Sequence, residues 1–485
     1  MRRRDLNKLL LAYAVTPVLG PRSVQGQTCA AATHDMTPAE KAAKVNVVDF
    51  SRCPGDWLRY GADPSGRSDS SAAIQAACNS NTLAFDATGG TYLVCASIVI
   101  PSGVTVRGVS SSATLVSCAD GEISVFKTSG ASAVSVERIK ISITAVSKRA
   151  YTAAVEFRKS TQCACNDCDI SGCNWSGVWI FDSTYCSVDH CYFHDFQGAV
   201  HDSADISIYN QSHHNSATNN RCFGGNWHGI MIQDPYNNSL PSHNLVADNA
   251  VGQHQAYGLL VYVPASGDTF NRLIGNRVEN IQGTALDKDS GAGIYIAGKG
   301  AGGTEITNNI VRNCCVQTTG GSLAPAGIGV NGIAASAAPL SITGNTVLDM
   351  RAHDGILIVS SQGPISVSGN SATLPHGNVK GTPIQISASS NVSVSGNTAA
   401  RAPETAARCI FVFANAVAVS NVSVVGNTCI GSNYVQIEFL PTAGGSISNV
   451  VCRDNICRGA ARPDNCLRMI GVRTADVGGN QCLTS

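Results

Sequence analysis

The sequence predicts an all-β fold, a right-handed parallel β-helix closed at its N-terminal side by a short capping helix. Three observations predict it. An asparagine returns at solenoid spacing, short β-branched runs opened by glycine follow each return, and almost nothing between Tyr92 and Ser485 has helical periodicity. The asparagines are Asn220, Asn249, Asn276, Asn309, Asn345, Asn370, Asn397, Asn427, Asn455 and Asn480, with gaps of 29, 27, 33, 36, 25, 27, 30, 28 and 25 residues. A unit of this size repeated many times is one supersecondary element stacked on itself. Asn166 and Asp189 extend the series upstream in this reading.

Two residues after each asparagine stands a small or apolar residue: Val251, Val278, Val311, Val347, Ala372 and Ala399. In other turns the place reads as Cys168, Cys191, Cys222, Cys429, Cys457 and Cys482. Alternate residues of a strand share one face, so this column is expected to point inward. The next strand begins at a glycine, as in Gly177-Val-Trp-Ile, Gly229-Ile-Met-Ile, Gly258-Leu-Leu-Val and Gly293-Ile-Tyr-Ile. Such runs, separated by Gly, Asn and Ser, are strand and turn signals. The turn asparagines are expected to take left-handed backbone geometry and to hydrogen-bond from coil to coil. The cysteine column reads as core packing, because a free thiol behaves as a small hydrophobe, and no metal site is assigned.

The ends and the composition narrow the function. Arg2-Arg3-Arg4 followed by the apolar run Leu9–Val15 reads as a signal peptide over residues 1–26, loosely of the twin-arginine kind, which predicts a periplasmic or secreted product. Residues 27–90 form the N-terminal segment and cap, and residues 91–485 the solenoid. The formal net charge is zero and 14% of residues are charged, which argues against a nucleic-acid surface. No segment has the apolar length of a membrane span. Of the cysteines outside the column, Cys53, Cys78, Cys95, Cys118, Cys163 and Cys173 are candidates for disulfides with unassigned partners.

Within the cap, Asp69-Ser-Ser-Ala-Ala-Ile-Gln75 predicts a helix that covers the open end of the solenoid. Tyr60-Gly-Ala-Asp, this Asp69–Gln75 run and Pro101-Ser-Gly-Val-Thr-Val-Arg-Gly108 resemble the N-terminal segment of the pectate-lyase-like superfamily, including its pectate lyase 3-type and glycoside hydrolase family 28-related members. The resemblance covers nearly all of the mature chain. It implies the β-helix and leaves the reaction open among hydrolases, lyases, epimerases and receptor-binding spikes.

Alignment on the strand glycines places outward side chains two and four residues later: Trp179 and Phe181, Val200 and Asp202, Met231 and Gln233, Leu260 and Tyr262, Tyr295 and Ala297. Asp182, Ser203 and Asp234 fall at the strand exits. Aromatic faces suit sugar rings, and carboxylates transfer protons. The candidate catalytic residues are therefore Asp202 and Asp234 on adjacent turns, with Asp182 supporting and His228 overhanging the groove. Trp179, Phe181, Gln233, Tyr236, Tyr262 and Tyr295 are the candidate substrate-binding residues. Eight of the eleven histidines lie between His190 and His254, and His201 is expected in the core.

The expected activity is glycosidic-bond hydrolysis of a polysaccharide or oligosaccharide by paired Asp carboxylates, without a cofactor, by a monomer or a homotrimer. Two alternatives stand beside it. Asp234-Pro-Tyr236 with Asp248-Asn249 and Gly258 is similar to the Asp-Pro-His segment of mannuronan C5-epimerases, with Tyr236 in place of histidine, so lyase or epimerase chemistry on a uronate is the second. Elimination would call for Ca2+, for which Asp182, Asp202 and Asp205 are the candidate ligands. From Ser160 to Asp287 there is no Lys, and Arg221, Arg272 and Arg277 are the only fixed cations, which tilts the reading toward a neutral or weakly acidic glycan. A non-catalytic glycan-binding surface protein is the third. The turns from Thr343 onward read as scaffold.

Overall fold

The computed structural model describes residues 33–118, 122–144, 151–196, 203–225, 227–234, 236, 238–283, 291–314, 326–350, 353–375, 381–402, 408–431, 434–460 and 462–484. The predicted leader 1–26, Val200, His201 and Asp202 lie outside them. The described chain winds into a parallel solenoid whose every coil contributes one strand to each of three sheets. One coil shows the pattern: Ser176–Phe181 in sheet one, Ser187–Asp189 in sheet two and Tyr192–His194 in sheet three. The sheets contain 14, 15 and 16 strands respectively among the described residues, each strand paired in parallel with its counterparts one coil away.

The core follows from strand alternation. In sheet one the inward pair is Val178 and Ile180, then Ile206 and Ile208, Ile230 and Ile232, Leu259 and Val261, Ile294 and Ile296, all buried. Each such side chain contributes about 1.5–3 kcal/mol by leaving water. The strand-opening glycine is required by space. A Cβ at Gly229 would sit 2.6 Å from the carbonyl oxygen of Gly258 and 2.3 Å from Val251.

The asparagine repeat is a ladder inside the corner between sheets two and three. Asn220 Nδ2 donates to Asn249 Oδ1 at 3.0 Å and to the Val188 carbonyl at 3.0 Å, while the Asn220 amide donates to the same Asn249 oxygen at 2.9 Å. The pattern continues to Asn455 and Asn480. The left-handed residue is not the ladder asparagine, as the sequence suggested, but the residue before it: Asn219, Asp248, Gly275, Asn308, Gly344 and their equivalents. Gly, Asn and Asp tolerate that conformation best, which explains the composition of this position.

This corner also corrects the upstream register. Asn166 and Asp189 end strands of sheet two, level with Thr218. The ladder column itself passes through Cys168 and Cys191, whose carbonyls receive the Tyr192 and Arg221 amides. Those two cysteines are therefore not part of the inward column of sheet three, which upstream reads Ile170, Phe193 and Cys222. A second, shorter ladder of Asn215, Asn244 and Asn271 lies between sheets one and two. Sequence reading missed it because it spans so few coils.

The cap is as expected in kind. Helix Ser71–Ser80 buries Ala73, Ile74, Ala77 and Cys78, and the Asp69 carboxylate accepts the Ser71 amide at 2.9 Å. A further helix, Pro38–Ala43, carries a Thr37–Glu40 capping box. It holds Glu40 in a fully buried pair with Arg59, 2.7 Å apart. Of the cysteines, Cys53 is disulfide-bonded, and Cys482, expected as a packed thiol, is instead joined to Cys466. No helix of the described residues is long and apolar enough to cross a membrane.

Candidate functional site

The outward face of sheet one between Arg158 and Ala297 concentrates the aromatic and polar groups. Register pairing stacks Trp179, Ser207, Met231, Leu260 and Tyr295 in one outward column. Phe181, Tyr209, Gln233, Tyr262 and Ala297 form the next. The four coils with a strand glycine thus have the predicted register. The fifth does not. Its strand is Ala204–Tyr209, so Ser207 and Tyr209 take the places assigned to Val200 and Asp202. Asn210, not Ser203, stands at its exit.

The upstream end of the strip is a cation–aromatic assembly. The Arg158 guanidinium lies 4.8 Å from the Trp179 ring and 4.7 Å from Phe181, and is anchored by Glu156 at 2.6 Å. Trp179 meets Phe181 and Tyr209 edge-on, with centroids 5.3 and 6.2 Å away. Trp175, Trp179, Tyr209, Trp227, Met231, Tyr257 and Leu260 form a second apolar cluster outside the solenoid wall. Trp179 is consequently only 2% exposed, and Gln233 is buried as well. The accessible rings are Tyr262 at 37% and Tyr236 at 54%, with Phe181 and Tyr295 partly exposed. His228 is buried beneath this surface. It stacks on Tyr257 at 5.2 Å, and Tyr257 stacks on Tyr295 at 4.9 Å.

At the strand exits a hydrogen-bonded row crosses three coils. Asn210 donates its amide to the Asp182 carboxylate, and the Gln211 backbone amide reaches the same oxygen at 3.3 Å. Ser239 Oγ donates to Asn210 Oδ1 at 2.8 Å, and its backbone amide donates to Asp234 at 2.9 Å. Asp234 also accepts the Tyr236 amide at 3.1 Å and is wholly buried. Its carboxylate therefore fixes the loop that presents Tyr236. Asp182 is partly exposed, in left-handed geometry at the lip of the strip. Asp182 and Asp234 are two coils apart, about 9.6 Å along the axis at the usual strand spacing.

The family described as "Right handed beta helix region" matches residues 123–311. Among solved structures, the catalytic unit of a thermostable GH87 alpha-1,3-glucanase from Streptomyces thermodiastaticus strain HF3-3 is similar at 13% identity. The match covers 90% of this chain and 70% of that one, with a TM-score of 0.55. A tailspike mutant of E. coli bacteriophage HK620 in complex with a pentasaccharide is similar at 12% identity, over 88% of this chain and 77% of that one, with a TM-score of 0.59. The chain is a right-handed parallel β-helix. No curated protein matches it.

Two features of this β-helix escaped the sequence. Asp205 occupies the strand-glycine place of its coil and points into the interior, so it cannot join Asp182 in a calcium site. Room exists because the facing residue is Cys222, where other coils have valine. The carboxyl lies 3.5 Å from His254 Nε2, and burial pushes its pKa well above the usual carboxylate range. Far along the same outward face, Glu438 is fully buried between Arg408 and Arg468, with the Tyr434 hydroxyl 2.7 Å from Arg468. The turns past Thr343 therefore carry one built polar cluster on a face that the sequence reading left as plain scaffold.

Proposed function

We propose that this β-helix is a glycan-acting enzyme that hydrolyses a neutral or weakly acidic polysaccharide lying along the outward face of sheet one. The observation that carries the reading is the juxtaposition of the Asp182–Asn210–Ser239–Asp234 row with the rings of Phe181, Tyr236, Tyr262 and Tyr295 on consecutive coils. Rings offer apolar faces to pyranose units, and a carboxyl group at the lip supplies the proton for the leaving oxygen. Asp182 is the accessible acid in this scheme, and Asp202, outside the described residues, is its candidate partner. Asp234 positions the Tyr236 loop. The shared fold of an alpha-1,3-glucanase and of a tailspike bound to a pentasaccharide supports a glycan as the ligand. Export through the residue 1–26 leader belongs to the same reading.

β-Elimination on a uronate is the second reading, favoured by the His228–Tyr257–Tyr295 stack, in which a phenol could serve as base. A screen of neutral and uronate polysaccharides, read by new reducing ends and by the ultraviolet absorbance of unsaturated uronates, separates the two. Hydrolysis predicts reducing ends without absorbance, lost at least 100-fold in Asp182→Asn and Asp202→Asn with unchanged thermal melting. Full activity in both variants would refute the carboxylate assignment.

A further inference from the structure

The asparagine ladder begins at Asn220, and the two coils before it replace asparagine by cysteine. Cys191 and Cys168 keep part of the ladder's bonding. The Cys191 amide donates to Asn220 Oδ1 at 2.9 Å, and the Cys191 thiol donates to the Cys165 carbonyl at 3.4 Å. The Cys168 thiol donates to the Asn166 carbonyl at 3.3 Å and to the Val136 carbonyl at 3.7 Å. A third thiol faces them from sheet two: Cys165, inward on the strand Ala164–Asn166. Its sulfur lies 3.9 Å from that of Cys191, and all three sulfurs fall within 4.8 Å of one another. Among the described residues, no other three His, Cys, Asp or Glu side chains bring their ligand atoms this close.

We propose that Cys165, Cys168 and Cys191 form a buried three-thiolate site for one soft divalent cation of the zinc and cadmium class. Metal–sulfur bonds of about 2.3 Å place sulfurs about 3.8 Å apart in a tetrahedral arrangement and about 4.0 Å apart in a trigonal one. The 3.9 Å pair already meets that requirement, and small side-chain rotations bring in the third sulfur. Soft thiolates select such cations over Ca2+ or Mg2+, which take oxygen ligands. A divalent ion reduces the charge of three thiolates to one negative unit. The thiols release their protons to solvent on binding, so occupancy rises with pH. The second ladder makes the same exchange at Cys186 and Cys163, upstream of Asn215, without a third thiol; what sets the corner between sheets two and three apart is Cys165, which closes the triad. The site is sealed in the interior beside the corner between sheets two and three, so loading accompanies folding.

The test is elemental analysis and native mass spectrometry of the full chain produced in zinc- or cadmium-supplemented medium. The expected result is one ion per chain. The cadmium form should also show a thiolate-to-metal charge-transfer band in the ultraviolet. Cys191→Asn, which extends the ladder by one rung and so preserves the corner, should fold and lose the ion and the band. Cys165→Ser should do the same, and Cys429→Ser, a distant buried thiol, should lose neither. Absence of metal from the wild-type chain, retention of the full complement in both site variants, or a disulfide among the three cysteines in peptide mapping would each overturn the proposal.

Discussion

The coils around residues 153–297 and those around residues 326–430 share one interior and differ in their exterior. Inside, both repeat Val, Ile and Leu pairs and both run the asparagine ladder through the same corner. Outside on sheet one, the first group presents Trp179, Phe181, Tyr209, Tyr262 and Tyr295. The second presents Gly329, Asn331, Leu357, Val359, Gln385 and Ser387 before Phe411 and Phe413 appear. The contrast teaches that the stacking rules fix only half of each strand. The outward half is free to vary, and an accumulation of rings and carboxylates there is a functional signal rather than a requirement of the fold.

The largest expected effect probes what the two groups have in common. Asn370→Ala strands the Asn345 amide, the Asn345 side chain and the Ile342 carbonyl in the interior. At about 1–3 kcal/mol for each of these three groups, the loss should be about 3–9 kcal/mol. Asn249→Ala, in the aromatic group, should cost the same within about 1 kcal/mol if the interior is truly shared. Denaturant unfolding of the two variants checks this, and a large inequality would break the comparison.

Asp354 gives a second, pH-dependent difference on the distal side. Burial pushes its carboxyl up to about 7, opposed by the Thr382 amide at 2.6 Å and by Arg401. The folded state then holds a proton that the unfolded chain has lost above about pH 4, so stability falls as pH rises from about 4 to 7. The total is up to about 4 kcal/mol. Asp354→Asn stays neutral at every pH and should remove this component. Asp56 in the cap, raised by burial to about 6, and Asp205 on the proximal side, raised by burial, add slopes of the same sign. The informative quantity is therefore the difference between wild type and variant in unfolding free energy at pH 4.5 and 8. An identical slope in both would reject the assignment.

The smallest effect sharpens the exterior contrast. Phe181→Ala should weaken oligosaccharide binding roughly tenfold, about 1.4 kcal/mol, while Phe413→Ala at the equivalent outward position should leave it unchanged. Calorimetric titration of both variants with a bound oligosaccharide decides. Equal losses would mean that the ligand track runs the whole length of the sheet.

The architecture was legible because its constraints are local and repeated. Glycine marks the start of sheet one wherever a Cβ would strike the next coil, which is why Trp179, Met231, Leu260 and Tyr295 were aligned without coordinates. The same marker failed once. Asp205 replaces the glycine, the nearest upstream glycine is Gly198, and the alignment slipped onto it, hiding Tyr209 and Asn210 from the candidate strip. Exposure was not legible at all. Trp179 and Gln233 point outward yet are buried, because side chains such as Trp175 and Trp227 enter from connections whose path no periodicity describes. The thiol cluster was hidden for another reason. Cys165 and Cys168 are neighbours in sequence, but Cys191 joins them only through the stacking of coils.

Because each rung of the ladder hands the same hydrogen-bonding request to the next, a coil is an interchangeable part. Deleting residues 371–397 would join Asn370 to Thr398 with inward and outward faces preserved, and the molecule would shorten by one strand spacing of about 4.8 Å. Length is thus an adjustable dimension of this architecture, one that evolution or an engineer can trim or extend without redrawing the outward face of the remaining coils.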